Sequence, residues 1–273
     1  MADIRIFIGD RCVEAVPPDD RGLAYGDALF ETMRAHRGEV PWWARHWARL
    51  QDGAARLQMP LPDHSQVLRE AAALLAGRDA VLKLQLTRGR GGRGYAPPPS
   101  VEPLWLLSVH PLPERVAALD VVWCETRLAR QPLLAGIKHG NRLEQVLARA
   151  EVAQAGADEG LVRDVAGRVT SGTAGNLFIH DGAGWHTPEL DHAGVAGICR
   201  AWVIEQTGAA VRRIRVDEVE RGAAVFLCNS VRGILPVQRL GARAWPQRPS
   251  EVRALQSVLA QAHPGFATPT EAS

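Results

Sequence analysis

The chain is nearly without lysine: of its 32 basic residues only Lys83 and Lys138 are lysines, and the other 30 are arginines. Arginine stays protonated in proteins, whereas a lysine amine can lose its proton, attack a carbonyl and form a Schiff base. The arginine bias has a bland genomic explanation, but it leaves two positions for that chemistry. Cysteine is sparse as well. Cys12, Cys124, Cys199 and Cys228 stand far apart, without a C-x-x-C or nearby histidines. No metal site and no disulfide framework is expected, and a reducing compartment follows. An excess of one charge is missing too: 32 basic against 30 acidic residues leaves +2, which gives no reason to expect nucleic acid or an anionic membrane. No apolar run approaches the roughly 20 residues of a membrane helix. The start, MADIRIFIGD, carries Asp3 and Asp10 and lacks a signal-peptide core. A soluble, cytoplasmic protein is the expectation.

What is present is ample for a buried core: 273 residues, 46% of them hydrophobic, enough for one large or two modest domains. Residues 5–8 and 11–16 flank Gly9-Asp10 as a hairpin, and 29–36 with 40–43 read as a second one. From Ala44 the pattern turns helical, with His46, Leu50, Ala54 and Leu57 near one face until Met59-Pro60. A second helix over 66–76 takes His64-Ser65 as its cap. Leu82, Leu84 and Leu86 alternate with Lys83, Gln85 and Thr87, a half-buried strand on which Lys83 reads as a solvated residue that arginine could replace. A glycine-rich loop, 87–95, and Pro97-Pro98-Pro99 separate it from a strand over 104–109. Residues 113–117 read as a linker between a domain over 1–112 and another over 118–273.

In the second half, Asn141-Arg142-Leu143-Glu144 resembles a capping box, and the helix behind it is expected to bury Leu143, Val146, Leu147 and Ala150. Strands follow over 119–125, 161–164, 168–171, 176–180, 211–216, 225–228 and 234–237, with a helix opened by Gly194-Val195-Ala196-Gly197. The overall pattern is mixed α/β.

Lys138 lies three residues before Asn141. A helix N-terminus disfavours a second positive charge and so favours the neutral amine. Lys138 thus reads either as a Schiff-base amine or as a surface lysine at a helix entrance. Gly194–Cys199 has the small residues and free backbone N–H groups of an anion site. Asn229-Ser230 can add donors or simply turn the chain. Arg88, Arg90 and Arg93 form a cationic loop able to clamp carboxylates, or an exposed arginine loop.

Six segments then match a known family in its order: Asp20-Arg21-Gly22-Leu23-Ala24-Tyr25-Gly26-Asp27-Ala28-Leu29-Phe30-Glu31-Thr32, His46-x-x-Arg49-Leu50, Lys138-His139-Gly140-Asn141-Arg142, Gly175-Asn176-Leu177-Phe178, Gly194-Val195-Ala196-Gly197-Ile198, and Phe226-Leu227-Cys228-Asn229-Ser230 with Pro236-Val237. The chain resembles the fold-type IV pyridoxal-phosphate enzymes, which include branched-chain and D-amino-acid aminotransferases and 4-amino-4-deoxychorismate lyase. Phe30-Glu31-Thr32, Gly91–Tyr95, Lys138–Gln145 and Cys228-Asn229-Ser230 look most like the lyase branch.

The resemblance implies a smaller N-terminal α/β domain and a larger C-terminal pseudo-barrel domain, in a homodimer with each site near the interface and between the domains. It implies that Lys138 forms the Schiff base with pyridoxal 5'-phosphate. Arg49, the N–H groups of Ile198 and Cys199, and the Ser230 hydroxyl would hold the phosphate. Tyr25 and Phe30 would line the substrate pocket, and Thr32, Arg93 and Asn229 would recognise the substrate. Where the family has a glutamate facing the pyridine nitrogen, this chain has Ser171. A hydroxyl supplies no charge to keep the ring protonated, which weakens the electron sink that transamination needs. Elimination that produces an aromatic ring needs that sink less. The implied reaction is β-elimination through a Schiff base with the ring amine of 4-amino-4-deoxychorismate, giving 4-aminobenzoate, a folate precursor, and pyruvate. Lys138 would be the base, and Thr32 or a water the proton donor. Rival readings are an aminotransferase on D- or branched-chain amino acids, and a cofactor-free binding protein.

Overall fold

The structure, a computed structural model, describes residues 3–245 and 249–267. It divides into two compact units. Residues up to Leu112 together with Ile137–Asn141 form the first, and Pro113–Gly136 with residues from Arg142 onward form the second.

In the first unit, β1 (Asp3–Ile8), β2 (Arg11–Val13), α1 (Arg21–Tyr25), β3 (Ala28–Ala35), α2 (Trp43–Leu57), α3 (His64–Leu75), β4 (Ala80–Thr87) and β5 (Leu104–His110) follow in order. The sheet runs β2-β1-β5-β4-β3 with every pair antiparallel. Alternation along β4 puts Leu82, Leu84 and Leu86 into one core with Leu50 and Ala54 of α2, Val67 and Leu75 of α3, and Trp105 of β5. Each such leucine contributes about 1.5–3 kcal/mol of burial. Two local expectations change. Residues 40–43 are not a strand: β3 pairs with all of β4, from Ala28↔Thr87 to Ala35↔Ala80, and residues 36–39 close a tight bend into α2. The cap of α3 is Asp63, whose carboxylate accepts from Gln66 N at 2.7 Å.

The second unit contains β6 (Leu119–Leu128), α4 (Leu143–Gln154), β7 (Glu159–Asp164), β8 (Val169–Gly172), β9 (Asn176–His180), β10 (Trp185–Pro188), α5 (Ile198–Thr207), β11 (Ala210–Arg212), α6 (Val216–Arg221), β12 (Ala224–Asn229), β13 (Gly233–Leu240), β14 (Arg243–Ala244) and α7 (Ser250–Ala262). The strand order is β11-β10-β9-β12-β13-β6-β7-β8, with β14 on β13. The sheet curls back on itself, since Gly172 N, at the end of β8, donates to Gly175 O beside β9 at 2.8 Å. This is the mixed α/β, pseudo-barrel architecture expected.

Three expectations fail here for stated reasons. The strand expected over 211–216 stops at Arg212, because Val216 opens α6, whose Glu218 carboxylate accepts from Arg215 N at 2.9 Å. The cap of α4 is Arg142, whose side chain makes no capping bond to the helix, rather than Asn141. And α4 does not bury Leu143, Val146, Leu147 and Ala150. Its inward residues are Ala148 and Val152, packed with Cys124, Leu128 and Val162. The rotation is set by two glutamates on the inner side: Glu144 accepts from Ala129 N, and Glu151 accepts from Glu125 N, Thr126 N and the Thr126 hydroxyl. Among the described residues no helix is long and apolar enough to cross a membrane.

Candidate active site

Lys138 belongs to the first unit. The reason is its backbone. Lys138 O accepts from Phe30 N at 3.0 Å and Gly140 N donates to Ala28 O at 2.7 Å, so the segment lies along β3. Asn141 lies beside Gly26 at the same place. A Cβ on Gly26 would stand 2.3 Å from Asn141 Oδ1, and Gly26 holds a φ of +66°, so glycine fits there on both counts.

The Lys138 amine sits 4.3 Å from the centroid of the Phe30 ring. Lys83 Nζ lies 5.5 Å from the same centroid, and Lys83 is the cross-strand partner of Thr32. Lys83 is therefore not the freely solvated strand residue the alternation suggests. It is half-buried, its pKa is lowered by burial, and no carboxylate offsets that shift. Phe30 and Thr32, two apart on β3, share the face that carries Lys83. The sequence reading missed Lys83; its only signal was its rarity.

The opposite face of β3 holds Glu31, which is 1% exposed. Glu31 accepts a forked pair from Arg49 Nε and Nη2, and a bond at 2.6 Å with His46 Nδ1. Burial alone would raise the Glu31 carboxyl, but Arg49 and His46 hold it down at about 2. Burial also lowers His46, against the pull of Glu31 and with help from Arg49 and Lys138. Arg49, expected at a phosphate, is thus oriented by a buried carboxylate.

The glycine-rich loop divides its arginines by task. Arg88 is buried, bonded to Asp27 and to the carbonyls of Leu57 and Gln58, so it is structural. Arg90 pairs with Asp19. Arg93 is exposed. Arg21, unflagged by sequence, is 4% exposed and grips the loop: it bonds Asp27 and donates to the carbonyls of Gly94 and Tyr95 at 3.2 and 2.8 Å. Tyr25 supports the same loop, its hydroxyl accepting from Gly94 N and its ring meeting Tyr95 edge-on.

In the second unit, Gly197 precedes α5 and no side chain caps the helix. The N–H groups of Ile198 and Cys199 therefore open its first turn as donors for an anion. Asn176 fixes the approach, donating to Val195 O at 2.9 Å and lying where a Cβ on Gly197 would stand 2.0 Å from its Oδ1. Ser171, on β8, is 8% exposed and its hydroxyl donates to Gly172 O at 2.8 Å. Asn229 makes a turn: its Oδ1 accepts from Val231 N and Arg232 N, and its amide donates to Ala174 O. Ser230 follows it, half-buried. In the second unit an uncapped helix end, and in the first a lysine against an aromatic face and a forked arginine, are each features that suit a phosphorylated aldehyde cofactor. No group of three or more metal-binding side chains occurs among the described residues.

Such a lysine-centred site on this fold defines a class, and the chain belongs to it: the amino-transferase class IV family matches residues 28–240. Within that class, an aminodeoxychorismate lyase of Vibrio harveyi is 36% identical over 240 residues, 83% of this chain and 88% of the relative. The crystal structure of 4-amino-4-deoxychorismate lyase from Pseudomonas aeruginosa is 42% identical, with a TM-score of 0.87 over 94% of this chain and 99% of that one. A D-alanine aminotransferase of Bacillus licheniformis is 27% identical over 258 residues, 86% of this chain and 87% of the relative.

Proposed function

We propose that the protein is a pyridoxal-phosphate-dependent lyase that converts 4-amino-4-deoxychorismate to 4-aminobenzoate and pyruvate, acting in the cytoplasm as a homodimer. The observation that carries the reading is the Lys138 amine held against Phe30, with Lys83 on the other strand opposite Thr32. The lyase relatives, at 36% and 42% identity, support it over the aminotransferase at 27%.

When bound, the cofactor supplies an electron sink for the substrate carbon that bears the amine. Lys138 would hold it covalently. Arg49, the Ile198 and Cys199 N–H groups and the Ser230 hydroxyl would hold its phosphate, the helix end by its dipole and unpaired donors. Ser171 would face the ring nitrogen with a hydroxyl that brings no charge, a setting that favours elimination over transamination. Lys138 Nζ would take the proton from the amine-bearing ring carbon. The neighbouring carbon–oxygen bond breaks, the ring becomes aromatic, and the enolpyruvyl group leaves. Thr32 Oγ1 or a water would pass a proton to the departing group, which ends as pyruvate. The substrate carries two carboxylates. Lys83 and Arg93 would bind them, with Asn229 shaping the pocket and Tyr25 and Phe30 lining it.

The test is to supply the purified protein with 4-amino-4-deoxychorismate and, separately, with D- or branched-chain amino acids and 2-oxoglutarate. Release of 4-aminobenzoate is expected. Its absence, together with turnover of the amino acids, overturns the reading in favour of an aminotransferase.

A further inference from the structure

Arg200 is a cation at the end of a helix that disfavours one. It is the third residue of α5, whose N-terminus has no side-chain cap and no acid in its first turn. The positive end of a helix dipole favours carboxylates there and opposes an arginine. The other three α-helices described in the second unit follow that rule, with Glu144 in α4, Asp217 and Glu218 in α6 and Glu251 in α7. Arg200 is half-buried as well. Its guanidinium donates to Thr187 Oγ1 at 3.2 Å and to Pro188 O at 2.9 Å, both neutral acceptors on β10. Among the described residues no carboxylate pairs with it. Thr187 is buried and its hydroxyl already donates to Leu177 O at 2.8 Å, so towards Arg200 it only accepts. Burial lowers the Arg200 pKa, and only the Cys228 thiol pulls the other way. A guanidinium keeps its proton all the same. The charge therefore stands without an opposite one.

The surroundings say what would neutralise it. Helical side chains lean toward the N-terminus of their helix. Arg200 Cβ lies 3.5 Å from where a Cβ on Gly197 would stand, on the side where Asn176 holds the turn before α5. Cys228 of β12 is the cross-strand partner of Asn176 and is followed directly by Asn229 and Ser230. Arg200 thus belongs to the corner that holds the open N–H groups of Ile198 and Cys199. We infer that Arg200 is the fixed positive charge of the phosphate subsite, raising its affinity for a dianion by charge while its own N–H groups stay on β10. The inference rests on the phosphorylated cofactor proposed above and adds to its site a residue outside the six matching segments. Arg49 carries a charge too, but buried Glu31 offsets it. Arg200 has no such partner.

Binding to the protein freed of cofactor with hydroxylamine tests this without turnover. Pyridoxal phosphate and pyridoxal, which lacks the phosphate, are titrated by absorbance. Arg200→Met and Arg200→Gln should weaken pyridoxal phosphate by about 10-fold or more, as loss of one buried charge near a dianion implies, and leave pyridoxal within about 2-fold of wild type. Arg200→Lys keeps the charge but not the two-pronged donation, and should stay close to wild type with both ligands. Circular dichroism reports folding. Arg200→Gln keeps a donor for Pro188 O, so it carries the test if Arg200→Met does not fold. Equal losses with pyridoxal and pyridoxal phosphate, an Arg200→Lys protein as weak as Arg200→Met, or unchanged binding by Arg200→Gln overturns the inference and leaves the cofactor in place. A wild type that binds pyridoxal phosphate no tighter than pyridoxal overturns the inference and the phosphate subsite together. The lyase assay separates the two readings. Release of 4-aminobenzoate with normal cofactor binding by Arg200→Gln defeats the inference alone. Phosphate-dependent binding that falls with Arg200→Gln, in a protein that makes no 4-aminobenzoate, defeats the function alone.

Discussion

Lys83 and Lys138, the only lysines of the chain, meet the same Phe30 ring, at 5.5 and 4.3 Å from its centroid. On the proposed function, Lys138 supplies the reacting nitrogen and Lys83 a charge for a substrate carboxylate. Lys138→Arg should abolish 4-aminobenzoate formation while leaving the fold intact, since a guanidinium cannot shed its proton. Lys83→Met should raise KM for 4-amino-4-deoxychorismate by about 10- to 100-fold with a smaller change in kcat, as loss of a charged hydrogen bond to a carboxylate implies. Steady-state kinetics of the two variants checks this, and an unchanged KM for Lys83→Met would remove Lys83 from the site.

Glu31 is the buried hub for His46 and Arg49. Glu31→Gln leaves Arg49 without its counter-charge, and a destabilisation of about 3–5 kcal/mol is expected from denaturant unfolding. The pH dependence has a definite sign. The Glu31 carboxyl is held at about 2, below its unfolded value of roughly 4.3, so its contribution is complete above that value. It is lost as pH falls through about 2. Wild type should therefore lose stability on acidification below roughly pH 4.3 more steeply than Glu31→Gln. Parallel slopes would contradict the assignment.

Arg21 ties the glycine-rich loop to the scaffold through Asp27 and two loop carbonyls. Arg21→Ala should leave Asp27 paired with Arg88 alone and release residues 94–96. Limited proteolysis should then cut within 91–99 several-fold faster than in wild type. Equal cutting rates would mean that the loop is held by other contacts.

Only Cys12 is exposed among the four cysteines. Burial pushes the Cys124 thiol up to about 11, with Glu151 and Glu159 adding to it, and burial beside Cys199 pushes Cys228 well up. A native titration with an aromatic disulfide reagent should find one fast thiol, with the rest appearing only on unfolding. Two or more fast thiols would contradict the burial of Cys124, Cys199 and Cys228.

Much of this was legible in the sequence, and the failures have physical causes. Lys138, Arg49 and the turn before α5 stand in motifs that the sequence singles out by their order, and their roles in the site are proposals. Lys83 was hidden because alternation along one strand tells which residues share a face, not what the neighbouring strand and the 137–141 segment bring to that face. The face of α4 was misjudged because periodicity assigns apolar residues to the core, whereas Glu144 and Glu151 fix the helix the other way round. Arg88 and Arg93 look alike in one glycine-rich run, and only the carbonyls of Leu57 and Gln58, thirty residues earlier in the chain, set Arg88 apart.

The central claim is that Lys138 carries the cofactor, and a chain with two lysines makes the measurement clean. The purified protein is treated with pyridoxal phosphate, reduced with borohydride, digested and mapped by mass spectrometry. One pyridoxyl adduct is expected, on Lys138, with Lys83 unmodified and no adduct in Lys138→Arg. An adduct on Lys83, or none on either lysine, would contradict it.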